Sequence, residues 1–268
     1  MTFGSIPKML NPVMRMRVLC IVLFLAGLCF GLERNSFAQE NLPSLEWPKD
    51  ESVIPGKGNL RNSDWFKGHY QKRREGFRQE ADGQQKAVVF LGDSITEGWG
   101  DRLSKAFSDY KTANRGISGD VTRTVLYRLK EDVTSLNPTA VVLLIGTNDL
   151  DEGNSPEVIS SNTIEILEQL KAFNPELPVI FCKIMPRSEF PDHRTSNIII
   201  ANKLTCDYIQ KANNPQWIVL DTWSMFATDK GVVVKEELPD FLHLSSPSYD
   251  KWINGIKTIL TSLKLNQE

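Results

Sequence analysis

Five consecutive residues, Val141-Val142-Leu143-Leu144-Ile145, carry no polar side chain, and their composition marks them as a strand. Successive side chains of a strand point to opposite faces, so this run demands apolar cover on both. A parallel sheet layered between helices provides that cover, whereas a sheet with one face in water does not. The rest of the chain supplies the matching alternation. Short apolar runs at 87–91, 111–114, 140–145, 179–184 and 217–220 are separated by amphipathic segments near 101–107, 121–131, 156–173 and 194–212. A last helix is expected over about 247–263. Strand and helix alternating through short connections imply right-handed crossovers and a three-layer α/β/α domain. Ahead of it, residues 39–62 are rich in Pro, Gly and charge and read as an extended arm. A helix over 63–79 follows, and Trp47, Trp65, Phe66, Tyr70 and Phe77 around it are spaced for packing onto a core.

The first segment reads as an address. Lys8, Arg15 and Arg17 precede an apolar run over 18–32, and Ser36-Phe37-Ala38 ends it with a small-x-small pattern. This is the layout of a secretory signal, and its apolar stretch is short for a membrane span. Cleavage is expected after Ala38, leaving an arm-and-helix segment 39–86 and a main domain 87–268. The exported protein would be periplasmic or extracellular, with no stable membrane anchor. Cys29 follows Leu28, whose bulk argues against lipoprotein processing. Removing 1–38 takes away four basic residues and one acidic, so the net charge falls from -2 to -5. A mildly acidic chain gives no reason to expect a nucleic-acid partner. Of the cysteines, Cys182 and Cys206 remain, and the sequence leaves open whether they form a disulfide or stay as thiols.

In a doubly wound sheet, ligands bind beyond the carboxyl ends of the strands. Unusual polar clusters sit there. Gly92-Asp93-Ser94 follows the first strand, with Ser94 where a helix starts; alone, Ser94 is as good a helix cap as a nucleophile. Gly116-Ile117-Ser118-Gly119-Asp120 follows the second strand and can expose the N–H of Gly119. Gly146-Thr147-Asn148-Asp149 follows the third, and Asn148 offers an uncharged amide donor suited to an oxyanion. Asp240-Phe241-Leu242-His243 precedes the last helix; its carboxylate can reach its imidazole within one turn and fix the tautomer. Only three histidines exist. His69 lies in the aromatic helix, and His193, beside Asp192, is the rival to His243 as a base. No His-x-x-x-His spacing exists to build a zinc site.

Together these blocks resemble the SGNH (GDSL) hydrolase superfamily: Gly92-Asp93-Ser94, Gly119, Gly146-x-Asn148-Asp149 and Asp240-x-x-His243 occur in the family's order. The likeness spans about residues 87–263. The stretch 114–123 looks like the branch of platelet-activating-factor acetylhydrolase-like bacterial esterases. One departure is Ile95 where the family's nickname has leucine. The resemblance implies a five-stranded flavodoxin-like parallel sheet and chemistry with neither metal nor organic cofactor. It implies Ser94 as nucleophile, His243 as base and Asp240 as its orienting carboxylate. The oxyanion would be held by the N–H of Ser94, the N–H of Gly119 and the amide of Asn148. Asp93 and Asp149 are expected to be structural. Arg115, Trp99 and Arg187 are open between contacting substrate and packing.

The expected activity is hydrolysis of short-chain, acetyl-type esters, with an O-acylated carbohydrate as the expected alcohol, because export and short loops without a long apolar lid fit such a substrate. Lysophospholipase, thioesterase and acyltransferase activities are the alternatives within catalysis. A non-catalytic carbohydrate-binding protein on the same fold is the alternative outside it.

Overall fold

The structure, a computed structural model, describes residues 45–188 and 192–265. The expected signal segment and the expected cleavage site after Ala38 lie outside the described residues. The chain divides into two units between Leu45 and Glu46, and everything below concerns the second.

Five strands form one wholly parallel sheet: β1 (Val88–Gly92), β2 (Thr112–Gly116), β3 (Ala140–Leu144), β4 (Val179–Cys182) and β5 (Trp217–Leu220), in the order β2-β1-β3-β4-β5. The long helices are α1 (Asp64–Glu80), α4 (Thr122–Asp132), α6 (Pro156–Phe173), α7 (His193–Ala212) and α9 (Ser246–Ser262). Short ones are α2 (Ser94–Glu97), α3 (Arg102–Ala106), α5 (Thr147–Asp151) and α8 (Thr222–Phe226). Strand side chains alternate between two cores, as the all-apolar runs require. Val88, Phe90, Val142 and Leu144 pack with Trp99, Phe107, Trp252 and Ile256 on one side. Val89, Leu91, Val141 and Leu143 pack with Val125, Leu129, Ile166 and Leu170 on the other. This is the three-layer arrangement expected for a sheet buried on both faces.

Two strand ends depart from the expectation by two residues. β2 runs on past Asn114 through Arg115 to Gly116, because both added residues remain paired to β1. Arg115 is long enough to carry its guanidinium out of the strand to the carbonyl of Asp132 (2.8 Å) and across the ring of Phe77. β4 ends at Cys182 rather than 184, since Ile184 leaves the ladder and pairs instead with the side chain of Asn202. The helices α2, α5 and α8 are too short to leave a periodic trace in the sequence.

Residues 54–61 of the arm are pinned by side-chain amides acting as backbone mimics. Asn154 accepts from the N–H of Asn59 (2.6 Å) and donates to its carbonyl (3.1 Å). Asn162 treats Lys57 the same way, at 2.9 Å for both bonds. Arg123 donates to the carbonyls of Ile54, Pro55 and Gly58. Fully satisfied pairs of this kind hold a segment that has no sheet to join.

Candidate active site

The paired register puts the ends of three adjacent strands level: Gly92 lies opposite both Gly116 and Leu144. The chain turns sharply after Gly92, where a Cβ would collide with the Leu144 carbonyl and the Thr96 hydroxyl. Asp93 then caps α2 by accepting from the N–H of Ile95 (3.0 Å), and Ser94 is left half-buried at the first helical position.

His243 reaches Ser94 across 149 residues of chain, with Nε2 2.8 Å from Oγ. Its Nδ1 lies 2.7 Å from Asp240 Oδ2. Asp240 Oδ1 also accepts from the backbone N–H groups of Leu242 (3.0 Å) and His243 (2.7 Å), so one carboxylate shapes both the turn and the ring. Phe241, inside this turn, takes a left-handed conformation with φ 61°. Such a residue persists only where its surroundings over-determine it. Partial desolvation raises the Asp240 carboxyl, but the hydrogen bonds from His243 and Leu242 outweigh that and hold it below the usual carboxylate range. It remains an anion facing the imidazole.

The base-bearing loop and the serine-bearing helix are tied together. Glu237 accepts through its carbonyl from Ser245 N–H (2.8 Å) and Ser248 Oγ (2.9 Å), fixing the loop to the start of α9. Four residues into α9, the hydroxyl of buried Tyr249 donates to the carbonyl of Ile95 (2.7 Å), next to Ser94.

Gly119 adopts φ 87°, available to glycine at little cost. Its loop is braced from below by Glu97 of α2, whose Oε2 accepts from Ser118 N–H (2.6 Å) and Oγ (2.7 Å) and sits 2.9 Å from His69 Nε2. Asn148 is buried in α5, with Nδ2 donating to the Asp120 carbonyl (3.0 Å). One amide hydrogen of Asn148 is thereby held by protein, and its second remains for another acceptor. Among the described residues, the N–H groups of Ser94 and Gly119 donate to no protein acceptor.

Beneath the site lie three fully buried carboxylates. Burial pushes Asp93 up to about 7, aided by the charges of Asp120 and Asp149 against the N–H of Ile95. Burial likewise pushes Asp149 up to about 7 despite its bonds from the Thr122 N–H and hydroxyl. Asp120 is also raised by burial, against the lowering influence of Arg128. A carboxyl whose folded pKa exceeds its unfolded value gives stability that is complete below the unfolded pKa and lost as pH rises through the folded one. Tm should therefore fall as pH rises from about 5 to 8, and Asp93→Asn should flatten that slope. One such group changes stability by at most about 1.4 kcal/mol per pH unit, or about 3–5 °C in Tm. A wild-type Tm that climbs over this range, or an unchanged slope in Asp93→Asn, contradicts the assignment.

Other candidates lie elsewhere. Trp99 is buried against Trp252, Phe107 and Tyr249, and Arg115 is buried beneath Phe77, so both pack in the interior. Arg187 donates to the Thr147 carbonyl (2.9 Å) and pairs with Asp151, steadying α5. His193 is exposed at the first turn of α7, and His69 pairs with Glu97. Cys182 and Cys206 are free thiols; burial pushes Cys182 up to about 12. Among the described residues no cluster of His, Cys, Asp and Glu is placed to hold a metal ion, and no helix is long and apolar enough to cross a membrane. Sequence reasoning missed Arg61, Glu97 and Tyr249. Each acts through a contact distant in sequence, and no local motif marks it.

The family model described as the GDSL-like Lipase/Acylhydrolase family matches residues 90–251. The chain is similar to the alpha2 subunit of platelet-activating factor acetylhydrolase IB from Homo sapiens and Bos taurus, at 29% identity over 183 residues, 66% of this chain and 76% of each relative. Among solved structures it is similar to a GDSL-like lipase from Bacteroides thetaiotaomicron, with 26% identity and a TM-score of 0.62 over 70% of this chain and 97% of that one. A lipase/acylhydrolase from Enterococcus faecalis, 24% identical, shares the fold with a TM-score of 0.53 over 69% of this chain and 100% of that one.

Proposed function

The chain belongs to the GDSL-like lipase/acylhydrolase family and is an ester hydrolase; from that premise we propose that it cleaves short-chain esters through an acyl-enzyme on Ser94. The carrying observation is the unbroken relay Ser94 Oγ–His243 Nε2 and His243 Nδ1–Asp240, at 2.8 and 2.7 Å, opposite free backbone donors. Ser94 Oγ attacks the carbonyl carbon as its proton passes to His243 Nε2. Asp240 stabilises the resulting imidazolium. The tetrahedral oxyanion is held by the N–H groups of Ser94 and Gly119 and the second amide hydrogen of Asn148. Collapse of that intermediate expels the alcohol, which takes the proton from His243. Water, deprotonated by the same imidazole, then releases the acid and restores Ser94.

The substrate is an acetyl-type ester, with an O-acetylated carbohydrate as the favoured alcohol. The site is open, with Asp240 and His243 side chains 56% and 44% exposed, and no apolar lid covers them among the described residues. Trp65, 62% exposed, stacks one face on His69, leaving an indole face of the kind that sugar rings pack against. The acetylhydrolase relatives support the acyl group. The signal-like segment ending at Ala38 fits export to where such polymers occur. In a p-nitrophenyl ester series, kcat/KM should peak at acetyl and fall steeply by octanoyl. A peak at long chains turns the reading toward a lysophospholipase, and preference for an acyl-CoA or for a sugar acceptor over water turns it toward a thioesterase or an acyltransferase.

A further inference from the structure

Arg61 lies in the arm, outside the segment 90–251 that the family model matches, yet its guanidinium touches two of the three oxyanion-donor residues. Nη1 is 3.4 Å from Asn148 Oδ1. A Cβ built on Gly119 would stand 3.2 Å from the same nitrogen and 3.3 Å from Arg61 Cδ, so the side chain lies against that glycine. The guanidinium is fixed from behind by Glu152 (Nε–Oε1, 2.6 Å) and more loosely by Asp151 (3.8 Å). It is only 21% exposed. The backbone that carries it is held two residues earlier, where Asn59 is paired with Asn154 and with the Glu152 carbonyl (2.7 Å).

We propose that Arg61 is a positioning residue of the oxyanion hole, acting through the amide of Asn148. An amide side chain can turn over, exchanging its oxygen and nitrogen. Here the Asp120 carbonyl can only accept and Arg61 can only donate, so only one orientation satisfies both neighbours. That orientation keeps Nδ2, not Oδ1, as the group offered to the oxyanion. A cation on Oδ1 also polarises the amide and makes its N–H groups better donors, as linked hydrogen bonds do in a poorly solvated site. The inference rests on the reading of Asn148 as an oxyanion donor.

The test compares Arg61→Gln and Arg61→Lys, each alone and with Asn148→Ala, on p-nitrophenyl acetate, with Tm for every variant and Ser94→Ala as reference. Arg61→Gln should lower kcat by about ten- to a hundredfold while KM stays within about threefold, as for an interaction made in the transition state. Arg61→Lys, which keeps the charge without the planar fork, should recover part of that loss. In the Asn148→Ala background the Arg61→Gln loss should shrink to about twofold, because the amide it orients is gone. Arg123→Gln, which frees the arm at Ile54, Pro55 and Gly58 and leaves the contacts of Arg61 in place, should leave kcat within about twofold. Equal Arg61→Gln losses in both backgrounds, or an Arg123→Gln loss as large, would make Arg61 a scaffold residue and overturn the proposal. So would full kcat in Arg61→Gln beside an inactive Ser94→Ala. Turnover surviving in Ser94→Ala would instead overturn the serine mechanism itself. Should Arg61→Gln fail to fold, Arg61→Lys with and without Asn148→Ala carries the same comparison.

Discussion

Ser94→Ala should lower kcat for p-nitrophenyl acetate by on the order of a millionfold while leaving Tm within about 1–2 °C of wild type. The size follows from what is removed. Without Oγ no acyl-enzyme can form, and the remaining donors can only assist attack by water, so a residue of catalysis over the uncatalysed rate persists. The small change in Tm follows from the structure. Ser94 is half-buried, among the described residues its hydroxyl bonds only to a partly exposed imidazole, and the turn is held by the Asp93 cap and by backbone hydrogen bonds. Labelling by a fluorophosphonate should disappear in parallel. Persistence of turnover or label in a folded Ser94→Ala protein would remove serine from the mechanism, and absence of both in the wild type would favour a binding protein on this fold.

His243→Ala should cost kcat about ten-thousandfold or more, whereas His193→Ala should change it less than about twofold. His193 is exposed on α7, whereas His243 is the imidazole that lies between Ser94 and a carboxylate. His69→Ala should fall between them, at about two- to fivefold, since His69 acts only through Glu97 on the Ser118 backbone. A larger loss in His193→Ala than in His243→Ala would move the base to the other loop.

The all-apolar β1 and β3 made the layered sheet legible, because a strand with two dry faces has few places to lie. The polar edge strand β2 was read short, since Arg115 looks like a loop residue until its reach to Asp132 is known. Ser94, Gly119, Asn148, Asp240 and His243 were legible as blocks at strand ends, and Asp240 and His243 as one turn. Trp99 and Arg115 illustrate the opposite case. Both were open between contacting a ligand and packing, yet strand alternation turns Arg115 into the interior and Trp99 packs into the aromatic cluster of Phe107, Tyr249 and Trp252. Arg61 and Tyr249 left no trace, since the roles argued for them exist only through partners 87 and 154 residues away.

The separation of 149 residues between Ser94 and His243 has a consequence for how the protein comes to life. A binding pocket made within one hairpin can pre-exist the rest of a fold. This constellation cannot: its parts arrive on β1, β2, β3 and the approach to α9, and a parallel sheet closes only after each crossover has been completed. Turnover is thus a report on the finished topology, silent for every fragment and every partly assembled chain. A hydrolase built this way stays inert until the last helix docks and the turn ahead of it brings His243 to Ser94.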